Sequence, residues 1–196
     1  MPSPATVPEP ISAKRAHLLA TAQRLFYRDG YRIVGIDTLL AEAGVAKMTL
    51  YNHFASKDDL IVAVIEKLDA EVRAALAAAV EAAGNSPTRR LLAVFDWLAA
   101  WFKSDDFKGC GFIRALSEFP DPEHPVHQAA WRHKQAVNTV LQKLAADTGA
   151  RHPAELANAL SLLIDGAILT AHATGSANSA TTAKATASTL LKQATA

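Results

Sequence analysis

IDTLLAEAGVAKMTLYNHFASKDDL, residues Ile36–Leu60, decides the fold class of this 196-residue chain. Its spacing predicts a short helix with Ile36, Leu39, Leu40 and Ala43 inward, a tight turn at Gly44, and a second short helix. Ser56, with Asp59 three residues on, resembles a capping box and starts a third, long helix. Two short helices joined at a glycine by three or four residues are the layout of a helix-turn-helix, whose second helix can lie in a DNA major groove. Lys47, Met48, Thr49, Tyr51, Asn52 and His53 on that second helix are too polar and aromatic for an internal face. They suit a surface that meets phosphates and base edges.

Working outward, Ser12 is an N-cap candidate for a helix running to about Asp29, where Gly30 stops it. Leu18, Leu19, Ala22, Leu25 and Phe26 form its apolar stripe, and residues 1–10, with four prolines, read as a flexible tail. On the other side, the helix capped by Ser56 runs to roughly Ala83 with Leu60, Ile61, Val64, Ile65, Leu68 and Val72 inward. The stretch GNSPT breaks that pattern and places a domain boundary near Gly84. The organisation expected is a tail over 1–10, a helix-turn-helix domain over 11–56, a connecting helix over 57–83 and a larger domain over 84–196.

Within that last part, Pro87 opens a helix ending near Ser104, and the shorter segment GCGFIRALSEF follows. Pro125 begins a helix to Thr148 that Gly149 stops, and Pro153 begins an apolar one to about Thr174 that Gly175 stops. An Ala/Thr-rich helix covers roughly 178–194. No stretch alternates long enough for a sheet, so the fold class expected is all-α, with about nine helices.

Composition bounds the function classes. Half the residues are hydrophobic and a fifth charged, which is ordinary for a globular chain, and alanine-rich stretches without Gly or Pro favour helix. Lys plus Arg (20) nearly balances Asp plus Glu (19), so charge alone does not argue for nucleic acid. Residues 11–60 carry seven positive and five negative side chains, so position matters more than the sum. The single cysteine, Cys110, excludes an intramolecular disulfide and a cysteine-rich metal site. MPSPATVPEP lacks the features of a signal peptide, and no apolar run approaches the roughly 18 residues of a membrane span. A soluble, cytoplasmic protein with no membrane partner is expected.

AGVAKMTLYNHFASKDDL at Ala43–Leu60, preceded by GID at Gly35–Asp37 and by FYRDGY at Phe26–Tyr31, resembles the TetR family of one-component transcriptional repressors. The family's usual core is AGV, two or three variable residues, TLY, an aromatic-rich pair ending in Phe, then SK. The resemblance covers about residues 12–60; the remainder matches in length and helicity. Val34 and Gly35 stand where the family usually has Thr or Ser, and Ala46 where Ser is frequent, which removes individual cap or phosphate contacts.

The resemblance and the side-chain chemistry together assign a DNA-facing group: Thr38, Lys47, Met48, Thr49, Tyr51, Asn52, His53 and Lys57. Lys47 can donate to guanine or to a phosphate, and the Thr49 methyl can touch a thymine methyl. Lys57 is badly placed for the dipole of its own helix unless a phosphate lies nearby. Leu50 and Phe54 read as packing; Tyr51 suits packing as well as DNA contact.

The resemblance further implies an effector pocket enclosed by the C-terminal helices, for which Phe95, Trp101, Phe112, Leu116 and Trp131 are the lining candidates, though each also suits an ordinary core. It implies a homodimer through the last two helices. Leu156, Leu160, Leu163, Ala167 and Ala171 fall near one face, with Ala187, Leu190 and Leu191 on the second helix; packing within one subunit is the alternative.

The leading reading is a sequence-specific regulator, a repressor released from a pseudo-palindromic double-stranded operator by a small, partly apolar organic effector. It has no catalytic residues, metal or cofactor. The alternative is a metal-binding or metal-dependent protein using Glu118, His124 and His127, the two histidines being three apart at a helix start. No nucleophile–base motif, phosphate loop or HExxH supports an enzyme.

Overall fold

Nine α-helices and no strand are present among the described residues, 13–196, of the computed structural model. They are α1 (Ala13–Asp29), α2 (Ile36–Ala43), α3 (Lys47–Tyr51), α4 (Lys57–Ala82), α5 (Pro87–Phe102), α6 (Gly111–Glu118), α7 (Pro125–Asp147), α8 (Pro153–Thr174) and α9 (Asn178–Thr195). The all-α class is as expected. The tail at 1–10 and the Ser12 cap lie outside the described residues.

Starts and stops follow local chemistry. The Ser56 hydroxyl accepts the Asp59 N–H at 3.0 Å, satisfying one of the orphan donors of α4. Pro87, Pro125 and Pro153 open α5, α7 and α8, where a missing N–H costs nothing. Glycines with positive φ follow α1, α2, α4, α7 and α8.

The chain forms two compact units, the first ending at Val64 and the second comprising Ile65–Ala196. The division therefore falls inside α4, not at the GNSPT break, because the apolar residues at the start of that helix complete the first core. In the first unit Leu18, Leu25, Phe26, Leu39, Leu50, Leu60 and Ile61 are essentially inaccessible. Each such side chain contributes about 1.5–3 kcal/mol of burial. The Phe26 and Tyr31 rings meet at 5.5 Å, closing the end of α1 onto the turn before α2.

In the second unit α5, α7, α8 and α9 surround a core of Leu91, Val94, Phe95, Leu98, Leu141, Leu144, Leu156, Leu160 and Leu191. Ala180, Ala183 and Ala187 of α9 are buried there, small enough to let α9 lie close to α5 and α8. One expectation needs correction. α8 is long and apolar enough, by length and composition, to cross a membrane, its best 18-residue window having a mean hydropathy of 1.4. Leu156, Ala157, Leu160, Ile164, Ala167, Ile168 and Ala171 on it are buried within the unit, and Asp165 pairs with Lys134 of α7, so one side of this helix packs into the core.

Candidate functional site

The helix-turn-helix is built on a rigid frame. Gly44 adopts φ 62°, ψ 33°, a left-handed conformation that ends α2 and turns the chain. The Val45 N–H returns to the Leu40 carbonyl at 3.2 Å, and α3 starts with the Thr49 N–H on the Ala46 carbonyl at 2.9 Å. Neither Gly35 nor Ala46 supplies a side-chain cap, so no side chain of the cap residue covers the first-turn N–H groups at either helix start. α1 braces the pair: His17 Nε2 donates to the Ala43 carbonyl at 3.0 Å, and Arg24 pairs with Glu42 at 2.9 Å. Leu50 and Phe54 point inward, with the Arg15 guanidinium 4.9 Å over the Phe54 ring.

Turned outward on this frame are Thr38, Lys47, Met48, Tyr51 and Asn52, all exposed, while Thr49, His53 and Lys57 are half-buried. Lys57 has an occupation that its sequence position hid: its Nζ donates to the Arg32 carbonyl at 3.0 Å, tying the start of α4 to the turn before α2.

The second unit holds an open groove of about 370 Å³ between Glu71, Val72 and Ala75 of α4 and Trp97, Ala100 and Trp101 of α5, with Ser104 just beyond. The two indoles stack at 5.6 Å and 24°, and Phe107 meets Trp101 edge-on at 5.0 Å. Such a volume, lined mainly by aromatic and aliphatic groups, is within the size range of small-molecule sites.

A buried polar contact lies one turn earlier on α4. His133 Nδ1 donates to Asp69 Oδ1 at 2.8 Å, Arg73 Nε donates to both Asp69 oxygens at 2.9 and 3.0 Å, and Phe112 stacks flat on the imidazole. Burial pushes the His133 pKa below its ordinary value, against the pull of Asp69. Burial works to raise Asp69, but the Arg73 and His133 hydrogen bonds outweigh it and hold the carboxyl below the usual range. Burial pushes the Cys110 thiol up, which makes it a poor nucleophile.

Residues 18–64 match the sequence pattern described as "Bacterial regulatory proteins, tetR family". The crystal structure of SCO4454, a TetR-family transcriptional regulator from Streptomyces coelicolor, is 34% identical, with a TM-score of 0.88 over 93% of this chain and 96% of that one. The chain belongs to the TetR family of transcriptional regulators. It is also similar to Escherichia coli NemR, solved in its reduced form (25% identity, TM-score 0.81, 90% and 95% of the two chains). The E. coli HTH-type transcriptional regulator YjdC is 32% identical over 80 residues, 41% of this chain and 42% of that protein's length. A helix-turn-helix, DNA-binding regulator of transcription is thus the class of this protein.

Against that family frame the remaining expected residues fall unevenly. Trp101 lines the groove, and Trp97, absent from the candidates, lines it with Trp101. Phe95 is wholly buried in the helical core and Phe112 is covered by His133, so neither presents a free face. Leu116 is half-buried, and Trp131 is 52% exposed.

The expected dimer residues Leu156, Leu160, Ala167, Ala171, Ala187 and Leu191 are buried within the single chain, and Leu163 and Leu190 are half-buried against the same core. The exposed stripe of α8 is instead Leu162, Gly166, Leu169 and Ala173, spaced 4, 3 and 4 residues apart on one side of the helix. Leu162 and Leu169 are 75% and 63% exposed.

The metal alternative finds no ligand geometry. The His124 ring accepts the Val126 N–H at 3.3 Å as an N-cap, and His127 Nδ1 donates to the Phe119 carbonyl at 2.8 Å. Among the described residues no three His, Cys, Asp or Glu side chains converge on a metal position.

Proposed function

We propose that this TetR-family protein is a homodimeric repressor that occupies a pseudo-palindromic operator through α3 and leaves it when a small organic effector enters the second unit. The observation that carries the reading is the outward face of α3, where Lys47, Met48, Tyr51 and Asn52 stand exposed over a buried Leu50. Thr38, Thr49, His53 and Lys57 complete the proposed DNA-facing set, with Thr38 and Lys57 serving phosphates. Repression is favoured by the similarity to E. coli NemR, a protein named as a transcriptional repressor.

The groove beside Trp97 and Trp101 is the proposed effector site, and its aromatic lining favours a partly apolar organic molecule. The second copy is proposed to pack on the outer face of α8, through Leu162, Gly166, Leu169 and Ala173, rather than on the residues that the sequence pattern singles out. The effector acts by preferring the conformation whose two recognition helices no longer match successive major grooves. A protein of this kind works in the cytoplasm and performs no catalysis.

The test is fluorescence anisotropy of the purified protein on duplex DNA from upstream of its own gene, against a scrambled duplex at two salt concentrations. Preference for the native duplex, with affinity falling steeply as salt rises, is the expected result. If neither that duplex nor one selected from a random library is preferred over scrambled DNA, the proposal fails.

A further inference from the structure

Six large hydrophobic side chains stand exposed among the described residues, and three of them, Ile33, Met48 and Tyr51, belong to the first unit. Met48 is the sharpest case. It is 71% exposed in the first turn of α3, on the helix proposed to enter the groove. Its neighbours there, Lys47, Tyr51 and Asn52, are exposed and polar or amphipathic. They offer hydrogen bonds; the Met48 thioether chain offers a flexible apolar surface and almost none.

An apolar side chain left in water gains by meeting an apolar partner. On the edges of base pairs in the major groove the one apolar group larger than a hydrogen is the C5-methyl group of thymine, the rest of the pattern being set by donors and acceptors. We infer that Met48 is a specificity residue that reads that methyl, so that each half-site requires thymine at the position facing the start of α3. The inference rests on the proposed DNA-reading role and adds to it the base. Because 5-methylcytosine carries the same methyl at the same place, methylation of a cytosine standing at that position restores the contact. The competing occupant of the exposed Ile33 and Met48 side chains is a protein surface. The cation of Lys47 beside Met48 speaks for DNA, since the cores of protein interfaces are depleted of charge.

The experiment selects duplexes from a random library with the full-length protein. It then measures anisotropy on the enriched duplex with each thymine replaced singly by deoxyuridine, which removes the methyl alone. Parent and Met48→Ala proteins are compared; Met48 makes little use of the core, so the variant folds. The expected result is one thymine per half-site whose replacement weakens the parent about three- to fivefold, the worth of one buried methyl. Met48→Ala binds that duplex more weakly and is indifferent to the replacement. Replacing the same thymine by cytosine weakens the parent, and 5-methylcytosine recovers part of the loss.

A parent indifferent to every deoxyuridine, or a Met48→Ala protein that keeps the same sensitivity, overturns the inference while leaving DNA recognition intact. Equal binding of the enriched duplex by parent and variant overturns it too, and hands the exposed apolar surface to a protein partner. Failure to enrich any duplex brings down the DNA-reading function and this inference together.

Discussion

Two glycines bracket α2, and the same kind of substitution at each is expected to act with opposite sign. Gly44 sits at φ 62°, and a methyl group added there meets nothing within 4 Å, so its whole effect is conformational. The left-handed conformation costs an L-residue roughly 1–2 kcal/mol. Stiffening the unfolded chain returns about 0.4–1 kcal/mol. Gly44→Ala therefore destabilises the first unit by about 1 kcal/mol, or about fivefold in its opening equilibrium.

Gly35 has φ −77° and ψ 160°, extended backbone open to any residue, and a side chain there also meets open space. Gly35→Ser keeps the same entropic gain and adds an N-cap hydroxyl worth a few tenths of a kcal/mol, so it stabilises by about 1 kcal/mol. The assay must see the first unit alone. All three tryptophans, at 97, 101 and 131, belong to the second, so their fluorescence is the wrong probe. Hydrogen exchange read by mass spectrometry on peptides from residues 36–54 is the right one. About fivefold faster exchange in Gly44→Ala and slower exchange in Gly35→Ser are expected. Two shifts of the same sign would refute the reasoning, because the opposite signs rest chiefly on the difference in φ, the cap hydroxyl adding only a few tenths of a kcal/mol.

Leu162→Glu leaves the single chain folded, since Leu162 is 75% exposed, but halves the mass measured by light scattering; an unchanged mass removes the outer face of α8 as the dimer surface. Lys57→Ala loses the bond to the Arg32 carbonyl and a phosphate charge. It should weaken binding to all sequences alike and lower the log–log salt slope by about one; a sequence-dependent loss would contradict this. The folded His133 resists protonation more than the unfolded chain, because burial depresses its pKa below the ordinary 6.5; Arg73 and Lys134 add to that, and Asp69 opposes it. Between the two values the unfolded state binds more protons, so stability is lost as pH falls through 6.5. The thermal midpoint should fall between pH 7.5 and 5.5 in the parent and fall less in His133→Asn, as circular dichroism would report.

Much of this architecture was legible because its signals are local. Ser56 caps α4, Pro87, Pro125 and Pro153 start their helices, and Gly30, Gly44, Gly149 and Gly175 follow the ends of theirs, each where its short-range chemistry puts it. The inward side of α8 was not legible. Leu156, Leu160, Leu162, Leu163, Ile164, Ile168 and Leu169 surround the helix, so periodicity offers no face to choose, and only the packing of α7 and α9 decides which are buried. The same limit hid the groove position of Trp97 and the exposure of Trp131, which depend on the rotation of α5 and α7. His133 and Asp69 are 64 residues apart, and nothing short-range pairs them. The bond from Lys57 to the Arg32 carbonyl was hidden for another reason: a backbone carbonyl is a partner that no side-chain pattern reveals.

The Asp69–His133 contact has a mechanical consequence. It fixes α4 at one point in the second unit, and Glu66 with Arg132 at 3.6 Å adds a looser tie one turn before it. Ala75, at the groove, lies six residues beyond that point, about 9 Å along the helix and within the same unit. The two ties hold the α4 wall of the groove to α7, so widening the groove strains either those ties or the short stretch of α4 between Asp69 and Ala75.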